Sequence, residues 1–169
     1  MAYAIFAIGC QTGIPPDALK LSPVSLERRQ QQTRKFDGAS ERDILMASAG
    51  VLQDLGFNID ESETRLGVIV ASKMRTAFET GQLVRSFFIA MFTGVNTPID
   101  DRQKIRVCLV TRPVADSNDK AYYVRVTFQR IIWNTQKQVA RVEAVEKPEI
   151  YQEFFERLSK SVFLEAQQI

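Results

Sequence analysis

Few residues of this chain could do chemistry. There are two cysteines, Cys10 and Cys108, and two groups of acids: Asp100 and Asp101 beside Arg102, and Asp116 with Asp119. Paired carboxylates can hold calcium or move protons. Neither group has the spacing of a calcium loop, so both are read as solvated acids. Histidine is absent, which removes the usual general base near neutral pH and every Ser-His or Cys-His nucleophile. Two cysteines alone make no zinc site, and neither GxGxxG nor GxxxxGK occurs. The expectation is a protein that is not an enzyme, with no cofactor and no metal.

Charge narrows the partners. The chain of 169 residues has 22 basic and 20 acidic side chains, a net charge of +2, and the composition of an ordinary folded domain. No strong field selects nucleic acid or acidic lipid. The cluster Arg28, Arg29, Arg34 and Lys35 has no aromatic in its midst and reads as a solvated strand rather than a phosphate site.

Cys10 has the more specific setting. Ala2 to Ile8 are apolar or aromatic, Gly9 is small, and the text turns polar after Cys10. A small residue before cysteine, with Ala7 three positions ahead, resembles the lipobox of bacterial lipoproteins. That resemblance implies cleavage before Cys10, a diacylglycerol on its sulfur and an acylated new amino end. Small neighbours let a membrane-embedded peptidase reach the bond. No basic residue precedes the apolar run, so residues 1–9 are expected to be part of a signal that starts further upstream. The alternative is that Tyr3 to Ile8 form a buried strand. Residue Gln11 stands where the family's inner-membrane retention signal has Asp, which implies sorting to the outer membrane, facing the periplasm.

Gln11 to Leu26, with Pro15, Pro16 and Pro23, shows no periodicity and reads as a tether, so residues 10–27 are expected to be anchor and linker. At ~3 Å per residue the tether spans ~50 Å. No stretch reaches the ~18 apolar residues of a spanning helix.

Residues 28–169 read as one α+β domain, ordered β-α-β-α-β-β-β-α: a curved antiparallel sheet packed on two to three helices. RRQQQTRKFD is a weak edge strand ending in Phe36. Ser40 with Asp43 makes a capping-box start for a helix carrying Ile44, Ala47, Val51, Leu52 and Leu55, which Gly56 ends. After a turn at ESET, RLGVIVASK is a strand with Leu66, Val68 and Val70 on its core face. Thr76 to Thr93 reads as a helix with Phe87, Phe88, Met91 and Phe92 in one stripe, and GVNTPIDD (residues 94–101) as loop. KIRVCLVTRPV places Ile105, Val107 and Leu109 on one face, with Arg106, Cys108 and Val110 on the other. Cys108 is expected to be a small buried core residue. AYYVRVTFQRIIW and VARVEAVE complete an antiparallel meander. Pro148 then opens a helix whose Phe154, Phe155 and Leu158 lie on the sheet. Leu52, Leu55, Val68, Val70, Phe88, Val107, Val126, Phe154, Phe155 and Leu158 are the expected core.

LQDLGFNIDESETRLGVIVASK and EIYQEFFERLSKSVFLEAQQI resemble an uncharacterised family of Gram-negative outer-membrane lipoproteins, over about Arg34 to Ile169. The strand-helix-strand opening is also similar in architecture to the repeat domains of the assembly lipoprotein BamC, of which this chain has a single copy. These resemblances imply a helix-grip fold used for docking proteins in an envelope machine, such as a secretion or outer-membrane assembly apparatus. The expected partners are the membrane, through the lipid on Cys10, and other envelope proteins. Ile89 lies away from the Phe stripe and, with Val95, is the candidate partner surface. The alternative function is a carrier of lipid or another hydrophobic ligand. A closed apolar pocket of roughly 300 Å³ between sheet and helices would mark the carrier, and a filled core the docking module.

Overall fold

The capping box at Ser40 forms as its spacing requires. The Ser40 hydroxyl accepts from the Asp43 backbone N–H at 3.2 Å, and the Asp43 carboxylate reaches back to the Ser40 N–H. A computed structural model describes residues 26–74, 100–115, 117, 120–134 and 136–166. In chain order these form α1 (Leu26–Gln31), β1 (Thr33–Asp37), α2 (Glu41–Asp54), β2 (Asn58–Glu63), β3 (Val68–Met74), β4 (Asp100–Pro113), β5 (Ala121–Asn134), β6 (Val139–Ala144) and α3 (Pro148–Ala166).

The class is α+β, a six-stranded antiparallel sheet with helices packed on it. The strand order is β1-β5-β4-β3-β2. β6 also pairs with β5, along Gln129 to Trp133, whereas β1 takes Ala121 to Arg125. The two short strands therefore share one edge of β5, end to end. The meander β4-β5-β6 is as expected.

Helix α2 ends in a Schellman motif. Gly56 takes φ +74°, a conformation that costs glycine little. Its N–H bonds Gln53 O at 2.7 Å, and the Phe57 N–H bonds Leu52 O at 2.9 Å. One late carbonyl, that of Leu55, is met by the Lys73 ammonium at 3.3 Å. Lys73 is buried, and its charge lies at the negative end of the helix dipole.

The core lies between one face of the sheet and the pair α2 and α3. Leu52, Leu55, Val107, Val126, Phe154, Phe155 and Leu158 are all buried there, as expected. The Phe128 ring meets Tyr151 and Phe154 edge-on, at 5.5 and 5.9 Å between centroids. Such pairs add to area burial. The Tyr151 hydroxyl donates to Val145 O at 2.6 Å, and burial pushes its phenol up from the ordinary value.

Strand β3 corrects the expectation. Ile69 and Ala71 face the core, Val68 and Val70 are only half-buried on the opposite face, and Leu66 is 72% exposed in the turn. The valines looked like the apolar face because the true core face ends in Lys73. That lysine is accommodated by the Leu55 carbonyl. Three boundaries also move. Residues Leu26 to Gln31 are a short helix rather than tether and strand, β2 continues through Glu61 to Glu63 before turning, and β4 begins at Asp100, so Asp100 to Arg102 are strand and not loop. Pairing with β5 extends the strand through this polar stretch, where no apolar alternation marks it. The expected Phe-rich helix, with Phe88 and Ile89, lies outside the described residues, as do Val95, Cys10 and the expected tether up to residue 25.

Candidate functional site

Alternation along β4 sends Ile105, Val107 and Leu109 to the helices and the intervening residues to the sheet's second face. Register sets out that face in rows. Val70, Cys108 and Thr127 form one row, Val68, Val110 and Arg125 the next, and Arg112 pairs Tyr123. Toward the other end come Ser72, Arg106 and Gln129, then Met74, Lys104 and Ile131. It is a mixed surface, with half-buried aliphatics among four cations.

Its polar groups are partly tied down. Ser72 donates to Asp60 at 2.9 Å, Thr127 donates to the Cys108 carbonyl at 3.3 Å, and the Arg112 guanidinium sits 5.7 Å from the Tyr123 ring centroid. Arg125 donates to Gln32 at 3.0 Å, while its Nε is buried with no hydrogen-bond partner. Cys108 belongs to this face and is half-buried, which corrects the expectation of a core residue. The signal was its shared alternation with Arg106. Burial pushes the Cys108 thiol up and Arg125 opposes this more weakly. The thiol is therefore protonated near neutral pH and no activated nucleophile.

At the end of this face a hollow of about 300 Å³ is lined by Met74, Arg102, Lys104, Trp133 and Lys137. β4 and β5 bring Arg102 and Trp133 into register. Lys137 comes from the β5–β6 turn, where it adopts φ +62°. The Asn134 side-chain oxygen holds that turn by accepting the N–H groups of Gln136 and Gln138, each at 3.0 Å. Larger hollows lie elsewhere on the described surface: one along α2 beside Met46 and Ser62, one along the charged side of α3 at Glu153 and Lys160, and one near the end of α3 at Phe163 and Leu164. All of these open to solvent.

Sequence reasoning missed the Trp133 hollow because Trp133 closed one strand and the strand opposite was expected to begin only at Lys104. Matching the two strands outward from the hairpin would have set them side by side. Three residues of the basic cluster make contacts within the chain: Arg28 pairs Glu146 at 2.9 Å, Lys35 pairs Asp37 at 2.7 Å, and Arg34 lies over the Phe155 ring. Among the described residues no three His, Cys, Asp or Glu side chains gather as a metal site, and no helix is long and apolar enough to cross a membrane. Neither a protein-family model nor a curated protein matches the chain.

Proposed function

We propose that this chain is a lipid-anchored, non-enzymatic docking component of a cell-envelope assembly, held at the outer membrane by acyl chains on Cys10 and facing the periplasm. The observation that carries the docking part is the sheet's second face. Val68, Val70, Cys108, Val110 and Tyr123 lie there among Arg106, Arg112 and Arg125, a mixture suited to protein contact. The packed ring cluster of Phe128, Tyr151, Phe154 and Phe155 between sheet and helices supports docking over carriage. The high thiol pKa of Cys108 supports a role without covalent catalysis. The helix-grip likeness to BamC belongs to the same reading, with α2 and α3 held against the curved sheet and the opposite face left to partners. The anchoring part rests on Ala7, Gly9 and Cys10.

Acyl labelling tests the anchor. Labelled palmitate should enter the protein in cells of a lipoprotein-processing host, and Cys10→Ser should abolish the label and leave an unprocessed precursor. Undiminished labelling of Cys10→Ser would end this reading.

A further inference from the structure

Among the described residues the sheet has open outer edges at β2 on one side and at β1 and β6 on the other. An open edge offers unpaired N–H and C=O groups to a second chain, and charge or a bulge normally blunts it. β2 is blunted. Asp60, Glu61 and Glu63 stand along it, with a shift of register between Ile59 and Glu61, so a second copy would set acid against acid. β6 is different. All its residues except Glu143 are exposed, Val139 and Val142 by 56% each. Alternation fixes which of its backbone groups point outward. The Val145 N–H donates to Phe128 O at 2.9 Å, and register continues from there through Glu143 with Arg130. Glu143 and Arg141 therefore turn their backbone groups to β5, and Val142 and Ala144 turn theirs to the open edge.

We infer that the outer edge of β6 pairs with the β6 of a second copy of this chain, antiparallel about a two-fold axis at Val142. The text there, VARVEAV (residues 139–145), reads the same in both directions except that Arg141 and Glu143 change places. A two-fold contact uses the same patch on both copies, so this symmetry is what self-pairing needs. Centred on Val142, the register opposes Arg141 to Glu143 twice and Ala140 to Ala144 twice. Moving the axis one residue either way would centre it on Arg141 or on Glu143, with like charge against like. Within each copy Glu143 already takes Arg130 and, at 2.6 Å, Arg141. The charges therefore select the register, while backbone bonds and the valines supply the attraction. Val142 meets its own copy beside the Ile131 of each protomer. The unpaired Ala140 at one end of β6, and α1 at the other through Arg28 and Glu146 at 2.9 Å, keep the ladder short. The dimer is accordingly a weak one that forms with concentration. It is independent of the anchor at Cys10.

The full chain with Cys10→Ser is followed by sedimentation velocity across the micromolar range, where a monomer–dimer equilibrium is expected. Val142→Pro removes an outward N–H and leaves the bonds to β5 in place, as proline on an edge strand can. With an unchanged circular dichroism spectrum it should dimerise roughly thirty-fold more weakly, because both hydrogen bonds of the central pair are lost. Register is read by cross-linking in a Cys10→Ser, Cys108→Ser background, which does not depend on how Val142→Pro folds. Across the axis the α-carbons at position 142 are expected about 5.5 Å apart, within disulfide reach, so Val142→Cys should form a covalent dimer on air oxidation. Val139→Cys, equally exposed, lies opposite Val145 and should not. Three results would overturn the proposal: a monomer throughout the micromolar range, a folded Val142→Pro that dimerises as tightly as its parent, and cross-linking at position 139 equal to that at 142.

Discussion

The two faces of β4 are built from one alternating text and have opposite fates. Ile105, Val107 and Leu109 are wholly buried under the helices, while Arg106, Cys108 and Val110, one position away, are exposed or half-buried. The difference is not one of hydrophobicity alone, since Val107 and Val110 are the same residue. What separates them is the element opposite: α2 and α3 carry the aromatic and aliphatic stripes that meet Val107, and among the described residues no helix meets Val110. Burial therefore follows from pairing between elements, and among the described residues the second face has no such partner. On the buried face even a lysine is tolerated, because Lys73 has a carbonyl to meet.

The largest effect should come from breaking the covered face. Phe155→Ala removes a ring that touches Phe154 at 5.6 Å and supports Arg34, and is expected to cost about 3–5 kcal/mol in urea unfolding. Melting like the parent would mean that α3 does not hold the sheet as described. A smaller loss should follow Lys73→Met, which keeps the aliphatic stem and leaves the Leu55 carbonyl without its ammonium donor. About 1–3 kcal/mol is expected. No change would show that the charge at the end of α2 is incidental.

Alkaline pH sharpens the same contrast with a milder effect. Burial raises the Tyr151 phenol above its unfolded value, so the folded state holds that proton more tightly than the unfolded chain. Its contribution is fully present below about pH 10, the unfolded value, and is lost as pH rises through the higher folded value. Tyr151→Phe should flatten this part of the alkaline stability loss. An unchanged profile would assign it to other groups.

Legibility in the sequence followed the same division. Helix α2 was readable from Ser40, Asp43 and Gly56, because caps are local chemistry, and α3 from a stripe that repeats every three and four residues. The meander was readable from strict alternation in β5. The face of β3 was not, because VIVASK is apolar at both phases and the deciding contact, Lys73 with Leu55, spans 18 residues. Helix α1 escaped because LERRQQ buries none of its residues, so it leaves no periodic apolar signal. The candidate surface was half-readable. Arg106, Cys108 and Val110 were on the page as a second face, whereas the hollow around Trp133 depends on register between strands. The partner residues expected from sequence, Ile89 and Val95, lie outside the described residues.

The central claim is that the second face of the sheet is a surface and not a hidden part of the core. One substitution placed on both faces tests it most directly: Val107→Thr and Val110→Thr, compared by urea unfolding. Threonine keeps the branched shape and adds a hydroxyl, which costs about 1–3 kcal/mol where the group is buried without a partner. Val107→Thr should lose that amount, and Val110→Thr should stay within about 0.5 kcal/mol of the parent, as surface changes do. Equal losses at the two positions would mean that Val110 is core as well, and the docking face would be gone.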